Sequence, residues 1–195
     1  MQEEILIVGL GNPGSRFENT RHNLGFMVVQ ALAEKLGLAF KRGWRIQGKI
    51  ANGVTDDKKV YILMPSTYMN LSGGAVRKCL DYYRIPLRNL LVVVDDVYLK
   101  LGTMRLREKG TPGGHNGLKN IEAHLRTQDY SRLRMGVGGE SLSESALEAY
   151  VLGNFNAEEQ KLLPAIVEAG AKVAACWATQ GIEPARQLAG ELTNR

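Results

Sequence analysis

Two kinds of hydrophobic pattern alternate along the chain. Continuous apolar runs at residues 5–8 and 90–94 predict strands that are buried on both faces. Further apolar stretches predict strands at 44–51, 60–64, 103–107 and 133–137, with Asn52 and Gly53 as the turn between the first two. Apolar residues spaced three and four positions apart predict helices from Leu24 to a stop at Gly37, at 72–84, at 118–125 and over most of 143–192.

Strands that alternate with helices predict an α/β fold in which helices cover both faces of a central sheet. The hairpin-like pairs of strands indicate a twisted, mixed sheet that is largely parallel. The 195 residues, of which 44% are hydrophobic, are enough for one substantial core, and no linker, repeat or low-complexity run divides the chain. We therefore expect a single domain over residues 1–195.

The composition also bears on the cellular compartment. We find no apolar stretch that approaches the roughly 20 residues needed to span a bilayer, and no secretory signal. The two cysteines, Cys79 and Cys176, lie in apolar helical patterns and are expected to be buried free thiols. The sequence thus predicts a cytoplasmic protein with no membrane contact, and we expect a monomer.

The net charge of +5 is unevenly distributed. Residues 100–134 hold eight Lys or Arg and three Asp or Glu, whereas residues 141–195 hold four and seven. A basic middle beside an acidic end suits one face that binds a polyanion such as nucleic acid. Solvated helix and strand faces would give the same counts, and charge alone favours that simpler interpretation.

Residues 9–14, GLGNPG, fit the pattern G-x-G-x-x-G directly after the first predicted strand. The pattern can mark a dinucleotide site, where glycines open a helix onto a pyrophosphate. Here no helical periodicity begins before Leu24. The next possible strand, 38–40, is followed by Lys41 and Arg42, whereas an NAD site would need a carboxylate there to bind the ribose. The basic residues leave only a weak case for NADP. A tight glycine turn is an alternative. We favour a loop that places Asn12 at the carboxyl end of the strand, where open α/β sheets bind ligands.

The chain lacks the motifs G-x-S-x-G, H-E-x-x-H, C-x-x-C and the P-loop, so nothing supports a covalent nucleophile or a catalytic metal. His22 precedes the first predicted helix and Asp95 closes the second buried strand, so both can lie at one edge of the sheet. A carboxylate fixes the tautomer of an imidazole and stabilises the imidazolium, which makes such a pair a general base for water. Taken alone, each residue has an ordinary alternative: a local hydrogen bond for His22, and a helix cap or surface turn for Asp95.

Three asparagines, Asn12, Asn70 and Asn116, occupy glycine-rich or post-strand segments. Their amides offer donors and acceptors without charge, so together they could hold a peptide, an ester carbonyl and a ribose. Capping a turn or a helix is the usual role of a single asparagine. His115 lies in a flexible glycine-rich loop, a plausible position for ligand binding, whereas His124 falls late in a predicted helix and is expected to be structural.

Six segments together resemble the bacterial peptidyl-tRNA hydrolase family. They are GLGNPG at 9–14, TRHNLGF at 20–26, PSTYMNLSG at 65–73, VVDD at 93–96, GGHNGLK at 113–119 and RLRMGVG at 132–138. Their order and spacing match the family's pattern, and the resemblance covers essentially the whole chain. The combination of TRHN, YMNLSG and GGHNGLK is highly specific.

The resemblance implies hydrolysis of the ester between a peptide, or an N-blocked amino acid, and the 3′-terminal ribose of tRNA, with no cofactor and no metal. This reaction recycles peptidyl-tRNA released from ribosomes. The resemblance implies that His22 is the general base, that Asp95 supports it and that Asn12 distinguishes blocked from free amino groups. The implied substrate-binding residues are Phe17, Tyr68, Met69, Asn70, His115 and Asn116, of which the two asparagines hold the peptide and the attacking water. Arg107 and Arg134 would belong to the surface that receives tRNA phosphates, in agreement with the basic middle of the chain.

The sequence departs from the family's pattern at three positions. Phe17 stands where tyrosine is common, Tyr98 where a second aspartate is usual, and Arg107 where lysine is more frequent. Stacking on a terminal base remains possible for Phe17. These departures affect fine contacts with the substrate and leave the catalytic pair intact. A non-catalytic RNA-binding relative of the same fold is the main alternative function, and a nucleotide-dependent oxidoreductase is the weaker one.

Overall fold

The computed structural model describes residues 2–138 and 142–193, which form one seven-stranded sheet with helices on both faces. The strands are β1 (Glu4–Gly9), β2 (Lys41–Gly43), β3 (Gly48–Thr55), β4 (Lys58–Pro65), β5 (Leu90–Asp96), β6 (Met104–Lys109) and β7 (Asp129–Gly136). The helices are α1 (Leu24–Lys35), α2 (Ser72–Tyr83), α3 (Asn116–Leu125), α4 (Glu144–Leu152), α5 (Ala157–Gln180) and α6 (Ile182–Thr193). The strands lie in the order β2-β3-β4-β1-β5-β7-β6.

The centre of the sheet is parallel and its flanks are antiparallel. Strands β4, β1, β5 and β7 run in one direction, whereas β3 pairs antiparallel with β4 and with β2, and β6 pairs antiparallel with β7. The predicted α/β fold with a mixed, largely parallel sheet is therefore confirmed. Because the carboxyl ends of β4, β1 and β5 meet at one edge, the loops that follow these strands lie side by side.

Side chains of the central strands alternate between two hydrophobic clusters. Ile5 and Ile7 pack with α1, α5 and α6 on one face, and Leu6 and Val8 pack with α2 and α3 on the other. Every residue of β5 is buried. Burial on both faces explains why these strands appear in the sequence as unbroken apolar runs.

The tight turn between β3 and β4 falls at Asp56 and Asp57, so its prediction at Asn52 and Gly53 was wrong. The two aspartates have φ of 44° and 59°, and a two-residue hairpin turn that follows the twist of the strands needs such positive values. Asn52 and Gly53 continue β3 instead. Leu38 packs over Gly53, where an added Cβ would lie 2.4 Å from a methyl carbon of the leucine and would push that side chain aside.

Other helices and strands begin or end a few residues from their predicted positions. Residues 44–47 form a turn before β3, and the edge strand is β2 instead of the possible strand at 38–40. Helix α3 begins at Asn116, two residues before its predicted start, because the side chain of His115 caps it. Strand β7 begins at Asp129, four residues before its predicted start.

Helix α5 is long and apolar enough to cross a membrane by length and composition, with 24 residues that include an 18-residue window of mean hydropathy 1.3. The expectation that no segment reached this length was therefore wrong. In the fold α5 packs against α1 and α6 and buries the side chains of Val173 and Trp177. This packing accounts for its apolar composition.

Both cysteines are free thiols, as predicted. Cys79 is buried, and burial raises the pKa of its thiol to about 12, which keeps it in the unreactive protonated form. Cys176 is only half-buried, so the expectation of full burial holds for Cys79 alone.

Candidate active site

A cleft of about 670 Å³ opens at the carboxyl ends of β1, β4 and β5. Ten of the eleven residues that the sequence analysis assigned to a site line it. They are Asn12, Phe17, His22, Tyr68, Met69, Asn70, Asp95, His115, Asn116 and Arg134. The eleventh, Arg107, does not line the cleft and is exposed on β6.

His22 and Asp95 form a hydrogen-bonded pair in this cleft: Nδ1 of His22 lies 3.0 Å from each carboxylate oxygen. His22 belongs to the short 3₁₀ helix Arg21–Asn23 that leads into α1, and Asp95 lies near the end of β5. The two elements approach closely because α1 carries Gly25, where an added Cβ would lie 2.5 Å from the carbonyl oxygen of Val93. Gly9 allows the same close approach, since a Cβ added to it would lie 2.3 Å from the carbonyl oxygen of Gly25.

A second histidine, His115, also contacts Asp95. Its Nε2 lies 3.0 Å from Asp95 Oδ1, and its Nδ1 accepts hydrogen bonds from the backbone amides of Gly117 and Leu118 at 3.1 and 3.3 Å. Because Nδ1 accepts, the proton of the neutral ring lies on Nε2 and is donated to Asp95. The prediction of a flexible loop position for His115 was wrong: its side chain is 7% exposed and both ring nitrogens are engaged.

The two histidines differ in their affinity for a proton. Burial alone would lower the pKa of His22, but the charge and hydrogen bond of Asp95 outweigh burial, and this pKa is raised above the ordinary 6.5. Burial is the stronger effect on His115, whose pKa is lowered in spite of Asp95. Burial would raise the pKa of Asp95, but the two histidines hold it well below its usual range. His22 can therefore take up a proton while His115 stays neutral and Asp95 stays ionised.

Asn12 is oriented by three hydrogen bonds. Its Oδ1 accepts from the backbone N–H of Met69 at 2.8 Å. Its backbone N–H donates to Asn23 Oδ1 at 2.8 Å, and its carbonyl accepts from Asn23 Nδ2 at 3.0 Å. Since Oδ1 is engaged, Nδ2 is the part of the Asn12 amide that can donate to a molecule in the cleft. Asn23 was not among the predicted site residues, although it lies within the TRHN segment.

The other polar and aromatic groups of the cleft are more exposed. Asn70 lies in the short 3₁₀ helix Met69–Leu71 and Asn116 is the first residue of α3, and no hydrogen bond joins either side-chain amide to another residue in the described part of the chain. The rings of Phe17 and Tyr68 stand edge to face with their centroids 6.4 Å apart. This arrangement provides free amides and an aromatic surface for a substrate.

Arg134 reaches the cleft from β7, but its guanidinium already has protein partners. Its Nε donates to Asp96 Oδ2 at 2.7 Å, and its terminal nitrogens donate to the carbonyls of Thr111 and Pro112 at 3.3 and 3.4 Å. Arg134 therefore holds the loop that precedes α3. The role of Arg107 and Arg134 in binding tRNA phosphates stays a prediction.

Sequence reasoning missed the residues that connect the cleft to the helical end of the chain. The Arg21 guanidinium pairs with Glu159 at 2.6 Å, donates to the Asn154 carbonyl at 2.8 Å and lies 4.1 Å from the centre of the Tyr150 ring. These contacts place α4 beside the His22–Asp95 pair. Helix α4 then contributes part of the cleft wall, from residues Leu147, Glu148, Val151 and Leu152.

His22, Asp95 and His115 are also close enough to be compared with a metal site, because their ligand atoms lie within 4.8 Å of one another. In the hydrogen-bonded arrangement both nitrogens that face Asp95 carry a proton, so a metal ion would have to displace both protons to bind there. The geometry is that of an acid–base group.

The glycine-rich segment 9–14 does not open a helix as a dinucleotide site requires. It is followed by the three-residue 3₁₀ helix Ser15–Phe17, and α1 begins only at Leu24. Gly11 instead makes room for Phe26, whose ring would lie 2.6 Å from an added Cβ. The loop places Asn12 at the end of β1, and the dinucleotide interpretation has no support in the fold.

Comparisons with known proteins agree with the motifs. The family model described as "Peptidyl-tRNA hydrolase" matches residues 6–194. A peptidyl-tRNA hydrolase of Synechococcus sp. (strain CC9311) is 46% identical over 166 residues, which are 83% of this chain and 80% of the relative. One of Desulfitobacterium hafniense (strain Y51) is 42% identical over 183 residues, 94% of this chain and 97% of the relative. The crystal structure of peptidyl-tRNA hydrolase from Acinetobacter baumannii superposes with a TM-score of 0.89 at 35% identity, covering 97% of this chain and 95% of that one. The chain therefore belongs to the peptidyl-tRNA hydrolase family.

Proposed function

We propose that this chain hydrolyses the ester that joins a peptide, or an N-blocked amino acid, to the 3′-terminal ribose of tRNA. Family membership supports the substrate class. The observation that carries the mechanism is the His22–Asp95 pair: Nδ1 of His22 is held by the carboxylate, so the lone pair of the neutral ring is on Nε2.

In the proposed reaction, His22 Nε2 takes a proton from water as the water oxygen attacks the ester carbonyl carbon. The resulting imidazolium is stabilised by the ionised Asp95 beside it. When the tetrahedral intermediate collapses, the bond from the carbonyl carbon to the ribose oxygen breaks, and the imidazolium returns its proton to that oxygen. A general base of this kind contributes about 10²- to 10⁴-fold to the rate.

The fixed amide of Asn12 supports selection of N-blocked substrates. Its Oδ1 is occupied by Met69, so the cleft is offered the hydrogens of Nδ2. An acylated amino group brings a carbonyl oxygen that accepts such a hydrogen bond. A free amino group is a charged donor, which Nδ2 cannot bind. Asn70 and Asn116 are assigned to the peptide and the attacking water on the basis of their unpaired amides in the same cleft.

Phosphate contacts by Arg107 and Arg134 complete the proposal, since such contacts give affinity for tRNA without reading bases. A substrate made of tRNA also supports a cytoplasmic enzyme without membrane contact, and we include a monomer in the proposal.

The test is the release of peptide from N-acetyl-aminoacyl-tRNA by the wild type and by His22→Ala. His124→Ala is the matched control, because His124 is an exposed histidine on α3. We expect the control to keep full activity and His22→Ala to lose about 10²-fold or more. Free aminoacyl-tRNA should be cleaved slowly by all three proteins. Near-wild-type turnover by a folded His22→Ala would remove the base assignment. A folded wild type that binds tRNA without cleaving it would favour the RNA-binding alternative.

A further inference from the structure

A second basic segment lies outside the catalytic cleft. Between Lys35 and Thr55 the sequence holds five Lys or Arg and no Asp or Glu. None of its residues lines the cleft. Four of these cations, Lys41, Arg42, Arg45 and Lys49, lie on β2, on the turn at 44–47 or at the start of β3. The mechanism proposed above does not use them.

The register of the sheet places this turn at the same edge as the cleft. Gly43 pairs with Gly48, and Gly48 pairs with Pro65, the last residue of β4. The backbone of Ser66 donates to the carbonyl of Gln47 at 2.8 Å. The turn is thus joined directly to the segment that continues to Tyr68 and Asn70 of the cleft wall.

The four cations lie within five residues of an exposed tryptophan in the sequence, and we refer to Lys41, Arg42, Trp44, Arg45 and Lys49 together as the Trp44 patch. Trp44 is 75% exposed, and the guanidinium carbon of Arg42 lies 3.8 Å from its ring centre. All four cations are exposed, and none of them forms an ion pair within the described ranges. The patch therefore combines unpaired positive charge with a large aromatic surface in contact with water.

Protection of the sheet edge explains only part of this composition. Charged side chains on the edge strand β2 would prevent pairing with other chains. A tryptophan exposed beside them has the opposite effect, because exposed apolar surface favours association. A ligand that uses both features carries negative charge and flat rings. Single-stranded nucleic acid has both, since its phosphates bind Lys and Arg and its bases stack on aromatic rings.

We propose that the Trp44 patch is a second RNA-binding surface, which contacts a part of the substrate tRNA that lies outside the cleft. The proposal rests on the function proposed above. Arg107 and Arg134 lie on β6 and β7, at the other end of the sheet order from β2. Six strand spacings separate the two ends, about 29 Å at 4.8 Å each. A tRNA whose 3′ end occupies the cleft between them is large enough to contact both surfaces.

The chain carries a built-in probe for this proposal. It has two tryptophans, of which Trp177 is 6% exposed and Trp44 is 75% exposed. Deacylated tRNA should quench the Trp44 emission on binding. In Trp44→Phe, where Trp177 alone emits, tRNA should leave the emission unchanged. Because deacylated tRNA needs no hydrolysis, this result stands even if the wild type proves inactive.

Kinetics separate the patch from the catalytic cleft. The double variant Arg42→Ala with Arg45→Ala should raise KM for N-acetyl-aminoacyl-tRNA without changing kcat. Its loss of affinity between 50 and 200 mM salt should be smaller than that of the wild type by about threefold for each phosphate contact removed. Hydrolysis of N-acetyl-aminoacyl-adenosine, which has no phosphate, should be unchanged. Arg88→Ala controls for the loss of an exposed arginine elsewhere, because Arg88 is exposed just before β5, at the opposite edge of the sheet.

Three results would overturn the proposal. The first is an unchanged KM and salt dependence in the double variant. The second is an equal loss of activity on N-acetyl-aminoacyl-tRNA and on N-acetyl-aminoacyl-adenosine, which would show that the substitutions disturb the cleft itself. The third is Trp44 emission that responds to vesicles of anionic phospholipid and not to tRNA, which would assign the patch to a membrane surface.

Discussion

Replacing Asp95 by asparagine tests how the two histidines share one carboxylate. Asp95 accepts hydrogen bonds from His22 Nδ1 and from His115 Nε2, each at 3.0 Å. An asparagine has one acceptor oxygen and one donor nitrogen in place of two acceptors. The Nε2 proton of His115 cannot move to Nδ1, because Nδ1 accepts the amides of Gly117 and Leu118. The oxygen of the new amide must therefore take the Oδ1 position, which lies 3.0 Å from both histidines, and its NH2 group takes the Oδ2 position, 3.0 Å from His22 Nδ1.

This orientation places a donor beside His22 Nδ1 in place of one of its two acceptors. The tautomer of neutral His22 with its proton on Nε2 is then favoured, and in that tautomer the lone pair that would accept a proton from water is lost. We expect kcat to fall by about 10²- to 10⁴-fold, the range over which a general base contributes and close to the effect of a wrong tautomer in serine hydrolases. A rapid-quench assay of peptide release under single-turnover conditions isolates this step.

The pH profile gives a second measure of the same change. Catalysis needs neutral His22, so the rate declines as the pH falls through the pKa of His22, which Asp95 raises above 6.5. Without the anion, burial lowers this pKa, and the acid limb should move to lower pH. In the double variant Asp95→Asn with His115→Ala, His115 no longer fixes the asparagine amide, so the side chain can rotate until only its oxygen faces His22 Nδ1, and this variant should be more active than Asp95→Asn alone. A kcat of Asp95→Asn within tenfold of the wild-type value would refute this account of the hydrogen bonds. So would a double variant whose kcat is no higher than that of Asp95→Asn.

Four further substitutions test other parts of the structure. Asn12→Asp replaces a donor by a carboxylate and should raise cleavage of free aminoacyl-tRNA relative to the N-acetyl substrate; an unchanged ratio would remove Asn12 from amino-group selection. Gly25→Ala places a Cβ 2.5 to 2.6 Å from three backbone atoms and should destabilise the fold by about 1–3 kcal/mol in urea unfolding. Gly190→Ala, which meets nothing within 4 Å on α6, should be neutral or stabilising, and equal effects of the two would contradict the packing argument. Arg134→Ala should raise KM for tRNA substrates and reduce the salt slope by about one, and unchanged values would exclude Arg134 from the tRNA surface.

The sequence alone predicted the layers of the fold and ten of the residues that line the cleft. The apolar runs of β1 and β5 were predicted as strands because burial on both faces leaves no polar position in them. His22 and Asp95 were expected at one edge because parallel strands end together. The motifs indicated the family, which the comparisons confirm.

Only the tertiary structure decided how these groups are oriented. Asn52 and Gly53 have typical turn composition, but the hairpin turns at Asp56 and Asp57 because pairing with β4 continues past them. Likewise, His115 is held between Asp95 and the amino end of α3. Local periodicity depends on neighbours a few residues away, whereas His22 and Asp95 are 73 residues apart and their hydrogen bond exists only because Gly25 lets α1 lie against β5. Tautomers and pKa values follow from such contacts, so they are properties of the packed structure.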